Sequence, residues 1–402
     1  MPVQNRFHHQ AYPSCSEADF HAELLQCSDS VPHADRLHTQ HRVREVVIVH
    51  GTLMGDDPFA IAETFSKLGQ SIPPLRPVLR PLAETVQKYS KPFTDRMTRD
   101  VGNYTTTFRD YFQQLVGDDP HVRLLLPTWS GQNHHFARAD LAVRLLCYLH
   151  DLQPHEDERV LFWGHSHAGN GFALLSNLLA NDPETVSAFF SSVQLANGDH
   201  SPEPPHWQRA REILETSESP HPLAQTVLMV AFGTPVRYGW DNDGYRSLLH
   251  VLHHRNADPD QPIMTRPLFP PHTPTDFLKA RYGDWVQAFG IAGTDVVPTA
   301  ALRRHTALER VVEAELQPPE HLADTRFIFP KKIRDACARW KTGTRCHADG
   351  HHLLIEYQPS RRRTRLLLPI EESLFGHGVA TTTTWLPAHL NLILNWLDQQ
   401  PT

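Results

Sequence analysis

Short apolar runs recur along the chain, separated by segments with helical spacing of their apolar residues. The run REVVIVHG (44–51) is rich in β-branched residues and ends in glycine, a pattern typical of a strand buried on both faces of a parallel sheet. Four more runs share this pattern, at residues 121–129, 158–166, 225–235 and 284–293. The sequence therefore predicts one sheet containing these five strands.

Between these runs, leucines and alanines lie three and four residues apart, as in amphipathic helices. Two examples are residues 142–149 and 174–179. Strands that alternate with helices in this way pair in parallel through right-handed crossovers. We therefore predict an α/β fold with a doubly wound, mostly parallel sheet.

The end of the chain adds further elements to this pattern. HHLLIEYQP (351–359) and RRTRLLLPI (362–370) predict a β-hairpin that either extends the sheet or stands beside it. WLPAHLNLILNWL (385–397) has one apolar face and predicts a final helix.

The organisation of the chain follows from where this alternation fails. Residues 1–41 are polar and interrupted by Ser, Pro and His, which indicates a weakly ordered N-terminal arm before a single domain at 42–402. Large helical or loop insertions are predicted within that domain, at about 70–120, 183–224, 254–283 and 300–345.

The first insertion has aromatic and apolar residues at roughly helical intervals, which predicts helices over the edge of the sheet. These residues are Tyr89, Phe93, Met97, Tyr104, Phe108, Tyr111 and Phe112. The helices either enlarge the core or form a lid over an acyl pocket.

Charge and hydropathy exclude several classes of function. The 402 residues carry a formal net charge of -7, spread along the chain, and the short basic cluster Arg361 to Arg363 is no nucleic-acid footprint. The first residues lack the charged flank and apolar core of a secretory signal, and no run is apolar enough to cross a bilayer. We expect a cytoplasmic protein without a transmembrane segment and without a nucleic-acid partner, and we leave its oligomeric state open.

Metal and disulfide chemistry has little support in the sequence. The five cysteines are widely spaced and form no CxxC pair, so neither a disulfide framework nor a cysteine zinc site is predicted. With 28 histidines in the chain, a histidine near a motif is often there by chance. HHF and HADGHH offer ligands without an HExxH helix, and we predict no metal and no cofactor.

The stretch VLFWGHSHAGNG (159–170) contains the main candidate for catalysis, Ser166. A nucleophilic serine at the end of a strand projects from a turn so tight that the residues two before and two after it must be small. Gly164 and Ala168 meet this need, with Gly169 next to the alanine. An apolar strand precedes the motif and an amphipathic helix follows it, as the motif requires.

With this motif the chain resembles the α/β-hydrolase superfamily, and within it the serine lipases and esterases. The resemblance covers about residues 42–397, and VVIVHGT (46–52) matches the strand ending in His-Gly that precedes the nucleophile in that family. The resemblance implies an oxyanion hole made by the backbone N–H groups of Thr52 and His167. Such donors stabilise charge that develops only in the tetrahedral intermediate.

The family resemblance also implies an acid and then a histidine after the serine. IAGTDVVP (291–298) resembles the family's acid loop after the penultimate strand, which implies Asp295 as the acid. Asp241 and Asp243, after the preceding predicted strand, are alternatives.

The corresponding base is His377, which lies between two glycines in FGHGVATTTTW (375–385), before the final helix. His347, His351 and His352 are rivals, but HHLLIEY is predicted to be a strand, which would commit its side chains to the two faces of the sheet.

Ligands of α/β sheets collect at the carboxyl edge, where the strands at 44–51 and 121–129 end. We predict substrate contacts there from His50, Gly51, Leu53, Trp129 and Asn133. The alternatives are that His50 and Gly51 only end a strand, and that WSGQNHHFAR (129–138) only caps the helix that follows.

Together these residues predict a serine hydrolase that cleaves carboxylic esters, small or lipid-like, through an acyl-enzyme intermediate. An acyltransferase or a peptidase on the same fold is an alternative, since the pocket chooses the acceptor. A non-catalytic scaffold used for binding is the other, because fold alone does not establish activity.

Overall fold

The computed structural model describes residues 21–25, 33–57, 61–62, 65–66, 74, 76–117, 121–197, 203–255, 273–292, 295–312, 349–358 and 372–400. Seven strands form one sheet in this part of the chain: β1 (His21–Leu25), β2 (Val43–Val49), β3 (Arg123–Leu125), β4 (Arg159–His165), β5 (Val227–Phe232), β6 (Ser247–His253) and β7 (His351–Tyr357). Their order is β1-β7-β6-β5-β4-β2-β3, and every neighbouring pair is parallel.

The helices connect and flank these strands. They are α1 (Arg36–Thr39), α2 (Arg76–Thr98), α3 (Thr106–Val116), α4 (His135–Leu152), α5 (His167–Ala180), α6 (Pro183–Asn197), α7 (Pro205–Glu215), α8 (Pro274–Leu278), α9 (Trp285–Ala292), α10 (Leu302–Val312) and α11 (Leu386–Asp398). No helix in the described ranges combines the length and the apolar character needed to cross a membrane.

Both faces of the sheet are covered by helices. Successive side chains of a strand point to opposite faces, so Val47 and Phe162 enter one core with α4, α5, α6, α7 and α10. Val46 and Trp163 enter the other, with α1, α3 and α11. The predicted α/β class and parallel pairing are confirmed.

The strand order reverses direction at β2. The chain passes from β2 to β3 on one side of it and then returns to β4 on the other side. In open α/β sheets the crevice at such a switch point, outside the carboxyl ends of the strands, is where ligands bind. Here the two strands flanking the crevice, β2 and β4, end at Val49 and His165.

One predicted strand is wrong. Residues 284–293 contain helix α9, not a strand. The Asp284 carboxylate accepts a hydrogen bond from the Gln287 amide at 2.8 Å, which caps the first turn of the helix. The periodicity of a short apolar run does not distinguish a strand from a helix. Here the Asp284 cap favours the helix.

The central strand β6 was not predicted. β6 (SLLHVLH) contains a single β-branched residue and two histidines, so its strand signal is weak. It is nevertheless central in the sheet, between β5 and β7, and every residue of it is buried.

Two further predictions concern the ends of the chain, and the described residues cover only part of each. β7 pairs in parallel with β6 and β1, so it joins the sheet as a crossover strand; the second arm of the predicted hairpin, 362–370, lies outside the described residues. The strand His21–Leu25 and the helix Arg36–Thr39 lie in segment 1–41, where a weakly ordered arm was expected.

The first insertion contains the expected helices, α2 and α3, but they differ in burial. Phe108 and Phe112 on α3 are fully buried in the core. Tyr89, Phe93 and Met97 on α2 are 57%, 66% and 60% exposed, so they do not enlarge the core as one reading of the sequence predicted. Whether α2 is a lid stays a prediction.

Candidate active site

Ser166 lies in a sharp turn between β4 and α5, with φ +56° and ψ -131°. Residues with a side chain rarely adopt a positive φ, and doing so costs about 1–3 kcal/mol. Three hydrogen bonds hold the turn. The Ser166 amide donates to the Phe232 carbonyl at 2.8 Å, and the Ser166 carbonyl accepts from the Gly169 amide at 3.1 Å and from Thr234 Oγ1 at 3.0 Å. Strained turns between a strand and a helix also carry the nucleophilic serine of hydrolases; the role of Ser166 as a nucleophile stays a prediction.

Small residues around the turn are needed for packing. A Cβ atom on Gly164 would lie 2.4 Å from the Phe172 ring, and one on Gly169 would lie 2.0 Å from Thr234 Oγ1. Either contact is far too short. The prediction of a small residue at 164 is confirmed, and on the other side Gly169 has as little room for a side chain.

The loop after β2 touches this turn. A Cβ atom on Gly51 would lie 2.9 Å from Ser166 Cβ, so the two backbones can approach only because residue 51 is glycine. Thr52 follows in the chain and is half-buried, and His167 is the first residue of α5, whose amide has no partner within the helix. Both segments with predicted oxyanion donors therefore lie beside Ser166, while the role of those donors stays a prediction.

A buried histidine–carboxylate pair lies at the same edge of the sheet. His377 Nδ1 is 2.6 Å from Asp284 Oδ2, and the side chains are 6% and 2% exposed. Burial alone would raise the pKa of Asp284, but the His377 ring and the Gln287 amide outweigh it, and the pKa is lowered from 3.8. The carboxylate is therefore ionised and fixes the proton of the imidazole on Nδ1.

The end of β5 connects this pair to the serine. The Phe232 carbonyl holds the Ser166 amide. At the next residue, Gly233, a Cβ atom would lie 2.8 Å from Asp284 Oδ2 and 3.3 Å from His377 Nδ1. The His165 ring, next to Ser166 in the chain, lies against the His377 ring with centroids 4.3 Å apart.

The sequence prediction that Asp295 orients His377 is wrong, because Asp284 occupies that place. Asp295 instead accepts hydrogen bonds from Nη2 of Arg138 and Nη2 of Arg237, both at 2.7 Å. Burial would raise its pKa, but the two guanidinium groups and His135 lower it well below 3.8. Its charge is thus neutralised by arginines that are themselves buried.

The other candidate acids and bases also lie elsewhere. The Asp241 carboxylate accepts from the Asp243 amide at 3.1 Å in a short 3₁₀ turn. His351 and His352 lie on β7, where the His352 ring stacks on His250. His347 lies outside the described residues.

Asp284 itself was missed by the sequence interpretation, although a signal was present. Its amide donates to the His253 carbonyl at the end of β6 at 3.2 Å, and its carboxylate caps α9 through Gln287. Asp followed three residues later by Gln is close to a capping-box signature for a helix start. That signature would have indicated a helix from 285 with Asp284 at its N-terminal cap.

The predicted substrate residues divide into three groups. Gly51 contacts the Ser166 turn, as described above, and Leu53 is 46% exposed on the same loop. His50 and Trp129 are buried and stacked, with the Trp129 indole donating to the His50 carbonyl at 2.9 Å. Asn133 accepts from Arg138 Nη1 at 2.9 Å and so belongs to the Asp295 cluster. Contact of any of them with substrate stays a prediction.

The Asp295 cluster also contains a group with the composition of a metal site. Ligand atoms of His135, His305 and Asp295 lie within 4.8 Å of one another. However, His305 Nδ1 accepts the His135 amide at 3.2 Å, so the proton of a neutral ring is on Nε2. A cation there would also face Arg138 and Arg237, which already bind the carboxylate. The arrangement favours an arginine–carboxylate cluster.

Comparisons with protein-family models, with curated proteins and with solved structures returned no match. The interpretation of this site therefore depends on its own geometry.

Proposed function

We propose that this protein is a serine hydrolase of the α/β-hydrolase superfamily, which cleaves carboxylic esters with Ser166 as nucleophile, His377 as base and Asp284 as acid. The observation that carries the proposal is the buried bond between His377 and Asp284, at 2.6 Å, at the sheet edge where Ser166 occupies a strained turn. Such a pair is what a serine needs to become reactive.

The order of elements supports the family assignment. In the family that the sequence resembles, the nucleophile follows a central strand, the acid follows the penultimate strand and the histidine follows the last. Here Ser166 follows β4, Asp284 follows β6 and His377 follows β7. Replacing the misassigned strand with β6 brings the acid to the expected loop.

In the proposed mechanism, Ser166 Oγ attacks the ester carbonyl carbon while its proton passes to His377 Nε2. Asp284 keeps the other ring proton on Nδ1 and stabilises the imidazolium. The carbonyl oxygen becomes an oxyanion, for which the Thr52 and His167 amides are the proposed donors. His377 then gives its proton to the departing alcohol, and water, activated by the same histidine, releases the acid and restores Ser166.

The test is labelling by a fluorophosphonate together with turnover of p-nitrophenyl esters. We expect the label on Ser166, and we expect Ser166→Ala to abolish both labelling and turnover. Ser176→Ala is the matched control. Ser176 is buried on α5, the helix that follows Ser166, and its hydroxyl donates to the Ala173 carbonyl at 2.7 Å. Labelling that persists in Ser166→Ala, or wild-type protein without label and turnover, would contradict the proposal.

A further inference from the structure

The loop that carries His377 has an unusual backbone. Leu374, Phe375 and Gly376 have φ values of +49°, +58° and +87°, three left-handed residues in succession. Two of them have side chains, which disfavour this region. Such a conformation persists only where the surrounding structure holds it.

Two buried imidazoles hold carbonyl groups of this loop. His253 Nδ1 is 2.7 Å from the Gly376 carbonyl oxygen, and His165 Nε2 is 3.0 Å from the His377 carbonyl oxygen. Because a carbonyl oxygen only accepts, each of these ring nitrogens must carry a proton and donate. Both rings are nearly inaccessible to solvent, His165 at 1% and His253 at 3%.

A third donor completes the set. The Trp285 amide, at the start of α9, donates to the Phe375 carbonyl at 3.1 Å. The carbonyls of residues 375, 376 and 377 are thus each held by a donor from outside the loop.

The two imidazoles also connect the loop to the other members of the proposed triad. His165 is the last residue of β4 and directly precedes Ser166. His253 is the last residue of β6, and its carbonyl accepts the Asp284 amide at 3.2 Å. The His165 ring therefore links the His377 loop to the strand that ends before Ser166. The His253 ring links the same loop to the residue whose carbonyl binds the Asp284 amide.

We propose that His165 and His253 are positioning residues, whose ring N–H groups clamp the loop so that the His377 imidazole is held in line with Ser166 and Asp284. This inference rests on the proposed function. It assigns to two buried histidines a task beyond filling space, namely to hold a strained backbone in the one conformation that places the base. Neither ring touches the substrate in this account.

Amide side chains allow a test that separates the N–H donor from the bulk of the ring. The side-chain nitrogen of glutamine lies as many bonds from Cα as His Nε2, and that of asparagine as many as His Nδ1. His165→Gln and His253→Asn therefore retain a donor at the relevant position. His165→Met and His253→Leu have similar length and no donor.

A matched control is His221→Leu. His221 is buried, its Nδ1 accepts the Leu223 amide at 3.1 Å, and its own amide binds the Leu179 carbonyl near the far end of α5 from Ser166. It measures what loss of a buried histidine does away from the site.

We expect His165→Met and His253→Leu to lower kcat for a p-nitrophenyl ester about 100-fold, with KM changed less than about threefold, because a misplaced base slows the chemical step. His165→Gln and His253→Asn should recover most of that loss, and His221→Leu should keep kcat within about twofold. Equal kcat in the donor and donor-free variants would overturn the proposal.

Hydrogen exchange of the amides of residues 373–378 gives a readout that does not depend on activity. The donor-free variants should exchange faster in this segment than wild type and than the amide variants. If the wild-type protein takes no fluorophosphonate label and cleaves no ester, the proposed function fails, while exchange still tests the clamp. Unchanged exchange in both His165→Met and His253→Leu would overturn the clamp alone.

Discussion

Asp284 and Asp295 lie close together in the chain, are both largely buried and both have a lowered pKa, yet their surroundings differ in kind. The partner of Asp284 is an imidazole, which gains and loses a proton within the proposed reaction. The partners of Asp295 are two guanidinium groups, which stay charged at any working pH. The partner therefore decides whether a buried carboxylate can orient a base or only neutralise fixed cations.

The largest expected difference between the two carboxylates is in catalysis. Asp284→Asn should lower kcat about 10⁴-fold, because an amide no longer holds the proton on His377 Nδ1 and the wrong tautomer cannot accept the serine proton. The asparagine oxygen can still cap α9, so the free energy of unfolding should change by about 1 kcal/mol or less. Steady-state kinetics and urea unfolding of the same preparation measure both quantities, and a kcat within tenfold of wild type would break the assignment.

The second expected difference is in stability. Asp295→Asn leaves Arg138 and Arg237 buried without their carboxylate, which should lower the free energy of unfolding by about 3–5 kcal/mol. Its kcat, measured well below the unfolding transition, should stay within about tenfold of wild type. Urea unfolding checks the first statement. A catalytic loss as large as that of Asp284→Asn would show that the two carboxylates are not distinct in role.

A double-mutant cycle measures how much the ion pair between Asp295 and Arg237 contributes to the free energy of unfolding. Arg237→Met removes one of the two cations, whose Nη2 is 2.7 Å from Asp295 Oδ2. In the Asp295→Asn background that change should be less harmful than in wild type, with a coupling free energy of about 1–3 kcal/mol. Additive effects of the two substitutions would indicate that this ion pair contributes nothing beyond its separate groups.

The smallest expected difference is in the pH dependence of stability. Burial lowers the pKa of His50, His134 and His165 to about 3. Between their unfolded pKa of about 6.5 and that value the unfolded chain binds more protons, so stability falls as the pH falls, by about 1.4 kcal/mol per pH unit for each ring.

Neither carboxylate titrates in this window, because both pKa values are lowered from 3.8. Asp295→Asn should therefore show the same slope as wild type between about pH 6.5 and 5.5, although its absolute stability differs. Urea unfolding at several pH values measures the slopes. A flatter slope in Asp295→Asn would mean that its carboxylate titrates in this range.

Much of the scaffold could be predicted from sequence because its signals are local. The apolar runs before His50, Ser166 and Gly233 are rich in residues that favour strands, and they are strands in the structure. The serine at the end of β4 was equally visible, since the need for small neighbours is written in the motif itself.

The acid partner of His377 was predicted incorrectly because two strand assignments were wrong. Reading 284–293 as a strand and overlooking β6 moved the expected acid loop to Asp295. A second kind of information was absent from any local pattern. That Asp295 faces Arg138 and Arg237, and that His165 and His253 hold the loop before His377, depends on contacts between distant parts of the chain.

The most direct test is the rate at which Ser166 is phosphonylated by a fluorophosphonate in wild type, Asp284→Asn and Asp295→Asn, with the labelled residue located by mass spectrometry. The account predicts label on Ser166 at similar rates in wild type and Asp295→Asn, and a rate lower by at least about 10³-fold in Asp284→Asn. Rapid labelling of Asp284→Asn together with slow labelling of Asp295→Asn would contradict it.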